Sequence, residues 1–429
     1  MIIVDRALEE REAEGRPIRV GLVGAGALGA GVARQFLTAA PGQRLVAISN
    51  RTPDRAATAY TAAGADEPVF AESVAALDRA IDRGAPVITD DPSLLAASDR
   101  VDAVIEATGT TEFGSAVAVA AIEGGKHVFI NAELEATVGP VLAARAAGGG
   151  LVVSSLDGDQ PGTQMNLVRF VRGAGFEPLV AGNIKGLQDH YRTPETQVEF
   201  AARYGLDPRM ATSFADGTKI SFEQAVVALS TGFGVACRGM LGYAHDGHID
   251  DMVDRYDVEE LRSLGGIVDY ALGPRPAPGV FVFAAQSDER QRQYMDFFKM
   301  GPGPLYSFYV PYHLAHMEAP SSVARAVLFG DAVTAPRHAT VEVITVAKRD
   351  LRAGEQLDGV GGYLTYGQCE AGGVARDDDL LPMGISEGCT LVRDVPKDAA
   401  ITRGDVALPE GRLVDRLRRE QDHLFVTND

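Results

Sequence analysis

The sequence predicts an α/β protein: a doubly wound parallel sheet first, then an α+β domain, then a small β-rich module that ends in a helix. Three observations predict it. A Gly-rich turn joins a first apolar strand to an Ala-rich helix within residues 18–37. Strand-like and helix-like runs then alternate as far as about residue 153, the pattern that builds a parallel sheet. Beyond residue 338, short β runs are separated by turns rich in Gly, Pro and Asp. The boundaries fall at 1–155, 156–335 and 336–429.

The elements follow in order. Residues 1–16 carry Glu9, Glu10, Glu12 and Glu14 and read as a short charged helix, not as a signal or transit peptide. Strands are expected at Ile18–Val23, Arg44–Ile48, Pro86–Ile88, Ala103–Ala107, His127–Asn131 and Leu151–Ser154. Helices are expected at Leu28–Leu37, Arg55–Ala62, Val74–Asp82, Pro92–Ala97, Gly114–Glu123 and Gly139–Ala147. In the second domain, helices read at Gly162–Gly173, Glu195–Tyr204, Ser221–Ala228, Glu289–Phe297 and Ser321–Leu328. Strands there read at Pro178–Asn183 and Val280–Ala284. The last module shows β runs at Val341–Val346, Leu364–Tyr366 and Thr390–Leu391, then a charged helix, Leu413–Asp422.

At 429 residues the chain is long enough for two or three cored domains. A formal net charge of −19 disfavours nucleic acid and anionic membrane as partners, because both repel an acidic surface. No apolar run reaches the length of a membrane span. Three widely spaced cysteines, Cys237, Cys369 and Cys389, match no disulfide or metal spacing and suit a reducing cytoplasm. The expected partner is a small-molecule substrate, and the expected assembly a homo-oligomer.

The turn Gly24-Ala25-Gly26-Ala27-Leu28-Gly29 is G-x-G-x-x-G at the first strand-to-helix junction, which marks a Rossmann dinucleotide site. Gly24 permits the tight turn, Gly26 lets a pyrophosphate reach the backbone, and Gly29 lets helix and strand pack closely. NAD-preferring sites place a carboxylate at the end of the second strand. Here that position reads Ser49-Asn50-Arg51-Thr52, and Arg51 can neutralise a 2′-phosphate, so NADP is favoured over NAD. Ala107, Thr108 and Gly109, with Asn131, are expected to frame the nicotinamide ribose.

Further residues carry a resemblance. Gly24–Gly29, Glu106-Ala107-Thr108-Gly109, Gly125-Lys126-His127-Val128 and Asn131-Ala132-Glu133 resemble the cofactor domain of homoserine dehydrogenases. Asp157–Gly162, Ser213–Lys219, Lys299-Met300-Gly301, Tyr309–Pro320 and Ala347–Glu355 extend the resemblance. Over nearly the whole chain it is similar to homoserine dehydrogenase-like oxidoreductases with a C-terminal SAF module. That group includes the deoxyxylulose-phosphate reductoisomerase-like enzymes. The resemblance implies hydride transfer to or from a small polar oxo or hydroxy compound bound between the first two domains. It also implies a substrate-domain lysine at Lys219. Three positions depart from the pattern: Val310 replaces an Arg, Glu135 an Asp, and Asn183-Ile184-Lys185-Gly186 a Gly-Lys-Gly run. If that Arg binds a phosphate, its loss argues for a different or unphosphorylated substrate.

Hydride transfer at a carbonyl needs a group that moves the hydroxyl proton and others that hold the oxygen. Lys219, before a helix and after Asp216-Gly217-Thr218, is the expected proton donor or acceptor. Lys185, after an apolar strand, is an expected anion ligand. Glu133 and Asp157 complete the catalytic candidates. Asp159, Gln160, Asp216, Lys299, Tyr309 and His313 are expected to meet substrate. A divalent cation, Mg or Mn, is a further expectation: Asp157, Asp159 and Gln160 could orient substrate hydroxyls or, with Glu133, bind such a cation through oxygens. The competing readings are a metal-assisted reductoisomerase and a non-catalytic NADP-binding sensor.

Overall fold

A computed structural model describes residues 3–426, which divide into two compact units. The first comprises residues up to Asp159, together with Leu314–Ala335 and Arg416–Leu424. The second comprises Gln160–His313 and Pro336–Asp415.

Unit one is built on seven strands, all paired in parallel. They are β1 (Ile18–Val23), β2 (Gln43–Ser49), β3 (Val69–Phe70), β4 (Val87–Thr89), β5 (Ala103–Glu106), β6 (His127–Phe129) and β7 (Val153–Ser154). The order β3-β4-β2-β1-β5-β6-β7 reverses direction between β1 and β5. Ligands bind outside the carboxyl ends of the strands at such a switch point. The central strands are buried on both faces, so Ile18, Val20, Leu22, Ile48, Ile105 and Phe129 form near-continuous apolar runs, whereas β3 at the edge is exposed. Val32 and Phe36 of the helix Ala27–Ala39 close one side of that core, joined by Val323 and Ala324 of the helix Ala319–Phe329. The segment Leu314–Ala335 therefore packs with the dinucleotide fold.

The helix expected at Gly139–Ala147 starts seven residues earlier, at Ala132, and runs through Pro140. Asn131 caps it by accepting from Leu134 N–H at 2.9 Å. A proline inside a helix removes one ladder donor and pushes the preceding turn apart. Here the buried side chain of Gln421 bridges the disturbed ladder. Its Nε2 donates to Thr137 O at 3.1 Å, and its Oε1 accepts from Val141 N–H at 3.3 Å.

Unit two holds a mixed sheet of β8 (Glu177–Lys185), β9 (Ile267–Leu272), β10 (Gly279–Ala285) and β11 (Leu305–Val310), in the order β11-β10-β8-β9. β8 pairs in parallel with β9 and antiparallel with β10. The sequence pattern does not predict β9 because Asp269 interrupts its apolar run. Asp269 is nevertheless buried, with Tyr256 OH donating to Oδ2 at 2.8 Å and Gly242 N–H to Oδ1 at 2.9 Å. Burial pushes its carboxyl up to about 6 against those hydrogen bonds.

The antiparallel pair β12 (Val341–Ala347) and β13 (Thr365–Ala371) and the short pair β14 (Thr390–Leu391) and β15 (Val406–Ala407) complete this unit. β13 lies against the helix Thr218–Thr231. Gly367 N–H donates to Thr218 Oγ1 at 2.9 Å, and Ser221 Oγ donates to Gly367 O at 3.1 Å. The C-terminal helix spans Leu413–Val426. No helix among the described residues is long and apolar enough to cross a membrane.

Candidate active site

The cofactor cradle begins where β1 ends. Gly24 has φ +101°, in the left-handed region that favours glycine, and its N–H donates to Ser49 O at 2.8 Å. A Cβ on Gly24 would lie 3.0 Å from the Ala107 carbonyl carbon and oxygen. One on Gly29 would lie 2.1 Å from Gly24 O. The protein's own packing therefore requires both outer glycines. A Cβ on Gly26 would meet no atom within 4 Å, so the middle glycine faces open space. The helix that follows opens with Ala27, Leu28 and Gly29, without a side-chain cap and without an acid in its first turn. Its first N–H groups and positive end are thus available to an anion. This arrangement fits a pyridine dinucleotide.

At the end of β2, Asn50 ties two turns together. Its Oδ1 accepts from Ala25 N–H at 3.0 Å, and its Nδ2 donates to Thr52 O at 2.8 Å. Arg51 and Thr52 are exposed beside it, and Arg51 makes no ion pair among the described residues.

At the end of β5, Glu106 is 2% exposed. Its Oε1 accepts from Thr108 N–H at 2.7 Å and from the Thr108 hydroxyl, and its Oε2 accepts from Asn131 Nδ2 at 3.0 Å. Burial, partly offset by the Thr108 bonds and reinforced by the Glu133 carboxylate, pushes its carboxyl up to about 7. Ala107 N–H donates to Val23 O at 2.8 Å, and Gly109 takes φ +78° to turn the chain into the next helix. Sequence reasoning singled out this run but not Glu106 itself. A carboxylate closing a buried strand is the signal that could have found it.

Glu133 is buried on the first turn of the helix Ala132–Ala147. Asp157 is also buried. Its Oδ1 accepts from Arg325 Nη1 at 2.7 Å, while Arg325 Nε donates to Asp331 Oδ2 at 2.7 Å. One oxygen of Asp157 is therefore held by a buried guanidinium that the sequence pattern does not reveal. Asp159 is half-buried. Glu135 is fully buried, accepting from the hydroxyls of Ser155 and Thr334, and burial pushes it up to about 7. Among the described residues, no three His, Cys, Asp or Glu side chains are grouped so as to hold a metal ion.

Unit two gathers a second polar set. Asn183 on β8 is fully buried, and its Oδ1 accepts from Gln164 Nε2 at 2.7 Å. Its Nδ2 donates to Gln160 Oε1 and, at 2.9 Å, to Glu223 Oε2. Gln160 Nε2 lies 3.1 Å from His313 Nε2, and Lys185 Nζ lies 3.8 Å from Glu223 Oε2. Lys219 occupies the second position of the helix Thr218–Thr231, four residues before Glu223 and so on the same face. The structure thus brings Gln160, His313 and Lys185 into one chain of contacts through Asn183 and Glu223, neither of which the sequence marks as a site residue.

Three other candidates lie elsewhere. Asp216 is fully buried, with Lys348 Nζ at 2.8 Å from its Oδ2 and Thr218 N–H donating to its Oδ1 at 2.9 Å. Its carboxylate is therefore engaged inside the protein. Lys299 is exposed at φ +66° after the helix Glu289–Phe297. Tyr309 is partly exposed on the edge strand β11, its ring edge-on to His248 at 5.2 Å.

A doubly wound sheet with a glycine turn open to an anion is the architecture of a nucleotide-binding domain. Residues 18–132 match the family described as the oxidoreductase family with an NAD-binding Rossmann fold, GFO_IDH_MocA. Residues 158–319 match the catalytic domain of oxidoreductase DRL. The chain is an NAD(P)-dependent oxidoreductase, similar over these two segments to the two family domains. No curated protein matches it. Among solved structures, it is similar to scyllo-inositol dehydrogenase from Lactobacillus casei, bound to NAD(H) and scyllo-inositol. The identity is 12%, over 74% of this chain and 92% of that one, with a TM-score of 0.43. A 3-ketoreductase from Actinomadura kijaniata, bound to TDP-benzene and NADP, is similar at 16% identity. That match covers 74% of this chain and 91% of the other, with a TM-score of 0.36.

Proposed function

We propose that this chain transfers a hydride between NADP(H) and a small polar oxo or hydroxy compound. The observation that carries the reading is the open backbone at Gly26, which feeds a helix start with no side-chain cap. When bound, the nicotinamide supplies or accepts the hydride. The amides that follow Gly26 hold the pyrophosphate, and Ala107–Gly109 with Asn131 border the nicotinamide ribose. The preference for NADP rests on exposed Arg51 and on the lack of a carboxylate at the end of β2.

Lys219 gives the proton to the substrate oxygen or takes it back. Its place in the first turn of a helix sets it in the positive potential of that helix end, which suits an oxygen that gains charge as hydride arrives. Lys185 holds an anionic or strongly polar group of the substrate, and Gln160 and His313 orient its hydroxyls. Glu133, Asp157 and Asp159 remain assigned to the substrate side of the first unit. The homoserine dehydrogenase-like and reductoisomerase-like readings rest on the sequence resemblance, as does a SAF-like role for residues 336–429. A cytoplasmic homo-oligomer is part of the proposal.

Calorimetry tests the cofactor assignment. NADPH binds more tightly than NADH, and Arg51→Asp narrows or reverses the gap; equal affinities in the parent protein would remove the phosphate argument. Lys219→Met keeps cofactor affinity and loses most turnover; a fully active variant clears Lys219 of proton transfer.

A further inference from the structure

We infer that Glu106 is a positioning residue for the cofactor, its proton deciding whether the Thr108 hydroxyl presents a donor or an acceptor to the nucleotide. The inference rests on the proposal that the Gly24–Gly29 turn binds a pyridine nucleotide.

The hydrogen bonds around Glu106 leave few alternatives. Asn131 cannot exchange its amide groups, because its Oδ1 is committed to capping Leu134 N–H while its Nδ2 reaches Glu106 Oε2. Thr108 N–H is a fixed donor to Oε1. The remaining partner, the Thr108 hydroxyl, can rotate and can either donate or accept.

With Glu106 ionised, every group around it donates. The Thr108 hydroxyl hydrogen then points inward, and its lone pairs face outward. With Glu106 protonated, Oε1 gains a hydrogen that needs an acceptor, and the hydroxyl oxygen of Thr108 is the neighbour able to take it. The hydroxyl hydrogen then turns away, toward Thr110 Oγ1 at 3.5 Å or toward a bound oxygen. Thr108 and Asn131 are both partly exposed, so this change is felt outside the buried carboxyl.

Among the described residues, the charge that acts on Glu106 is that of Glu133. The helix Thr111–Glu123 meets it with Gly114, where an added Cβ would lie 3.2 Å from Oε2, and β1 meets it through Val23. The helix Ala132–Ala147 brings the Glu133 carboxylate. Desolvation and that carboxylate raise the Glu106 carboxyl to about 7, so both states are populated near neutrality. An anionic nucleotide favours the neutral carboxyl and an outward-facing donor.

The test is NADPH and NADH affinity of the full chain across pH, by calorimetry. The parent is expected to bind about threefold or more tightly at about pH 6 than at about pH 8, for both nucleotides. NADH is included because it lacks the titrating 2′-phosphate. Glu106→Gln, neutral at every pH, and Thr108→Val, without the hydroxyl, should each bring the NADH ratio close to one. A parent ratio that survives in both folded variants overturns the role of Glu106, as does a parent with no pH dependence for NADH. If the parent binds neither nucleotide at any pH, the cofactor proposal fails and this inference fails with it. Glu106→Asp adds a readout of position: an ionisable but shorter side chain cannot reach both Thr108 and Asn131. Affinity should drop, and an unchanged affinity overturns the positioning argument.

Discussion

Replacing Lys348 by Met leaves the Asp216 carboxylate in a site with no exposure and no countercharge. In the folded protein Lys348 Nζ has three partners at 2.8 Å: Asp216 Oδ2, Arg192 O and Gly362 O. Both side chains of the pair are essentially inaccessible, at 3% and 0%. Removing one member of a buried pair costs roughly 3–5 kcal/mol, because the remaining charge keeps its desolvation penalty. Domains are stable by only about 5–15 kcal/mol, so this is a large fraction of what holds a unit folded. Asp216 also caps Thr218 N–H, at the start of the helix that carries Lys219 and Glu223, so the strain falls on that helix start. Urea denaturation measures the effect as a fall in the transition midpoint at constant slope. The double variant Asp216→Asn, Lys348→Met removes both charges and should recover at least about half of the loss. A loss in Lys348→Met below about 1 kcal/mol, or a double variant no more stable than the single, would refute the reasoning.

Two further perturbations are open to test. Gly29→Ala pushes a methyl to within 2.1 Å of Gly24 O. Overpacking of this kind costs about 1–3 kcal/mol, and here it also displaces the turn, so nucleotide binding should be lost in calorimetry while the far-ultraviolet dichroism stays close to the parent's. Glu135 has its carboxyl raised by burial from 4.5 to about 7, with Asp159 adding to the rise. The folded chain therefore holds this proton more tightly than the unfolded chain. The stability it contributes is complete below about pH 4.5 and is lost as pH climbs through about 7, amounting to about 3 kcal/mol. Glu135→Gln should flatten the stability profile across that window, and parallel profiles for parent and variant would contradict the assignment.

The fold was legible where short spacing dictates local structure. The strand Ile18–Val23 and the helices Val74–Asp82 and Glu289–Phe297 have the bounds that the apolar periodicity predicts. Ser73 supports the second of these by capping Ala76 N–H. The pattern misleads where a polar residue sits inside an element because something remote satisfies it. Asp269 hides β9 because its partners Tyr256 and Gly242 lie 13 and 27 residues away. Pro140 hides the first half of its helix because the compensating amide belongs to Gln421, 284 residues away from Thr137. The strand Val69–Phe70 is two exposed residues long, too short for any period.

The same division runs through the candidate site. The sequence by itself determined the turn at Gly24, Gly26 and Gly29, since strand, turn and helix start are consecutive and each glycine's requirement is set within a few residues. It also determined that no carboxylate closes β2. Only the tertiary structure decided which polar side chains share a buried environment: Glu106 with Asn131, Asn183 with Glu223, Asp157 with Arg325, and Asp216 with Lys348. Those partners are separated by 25, 40, 168 and 132 positions. Their attraction depends on distance and desolvation in three dimensions, quantities that residue spacing along a chain does not encode.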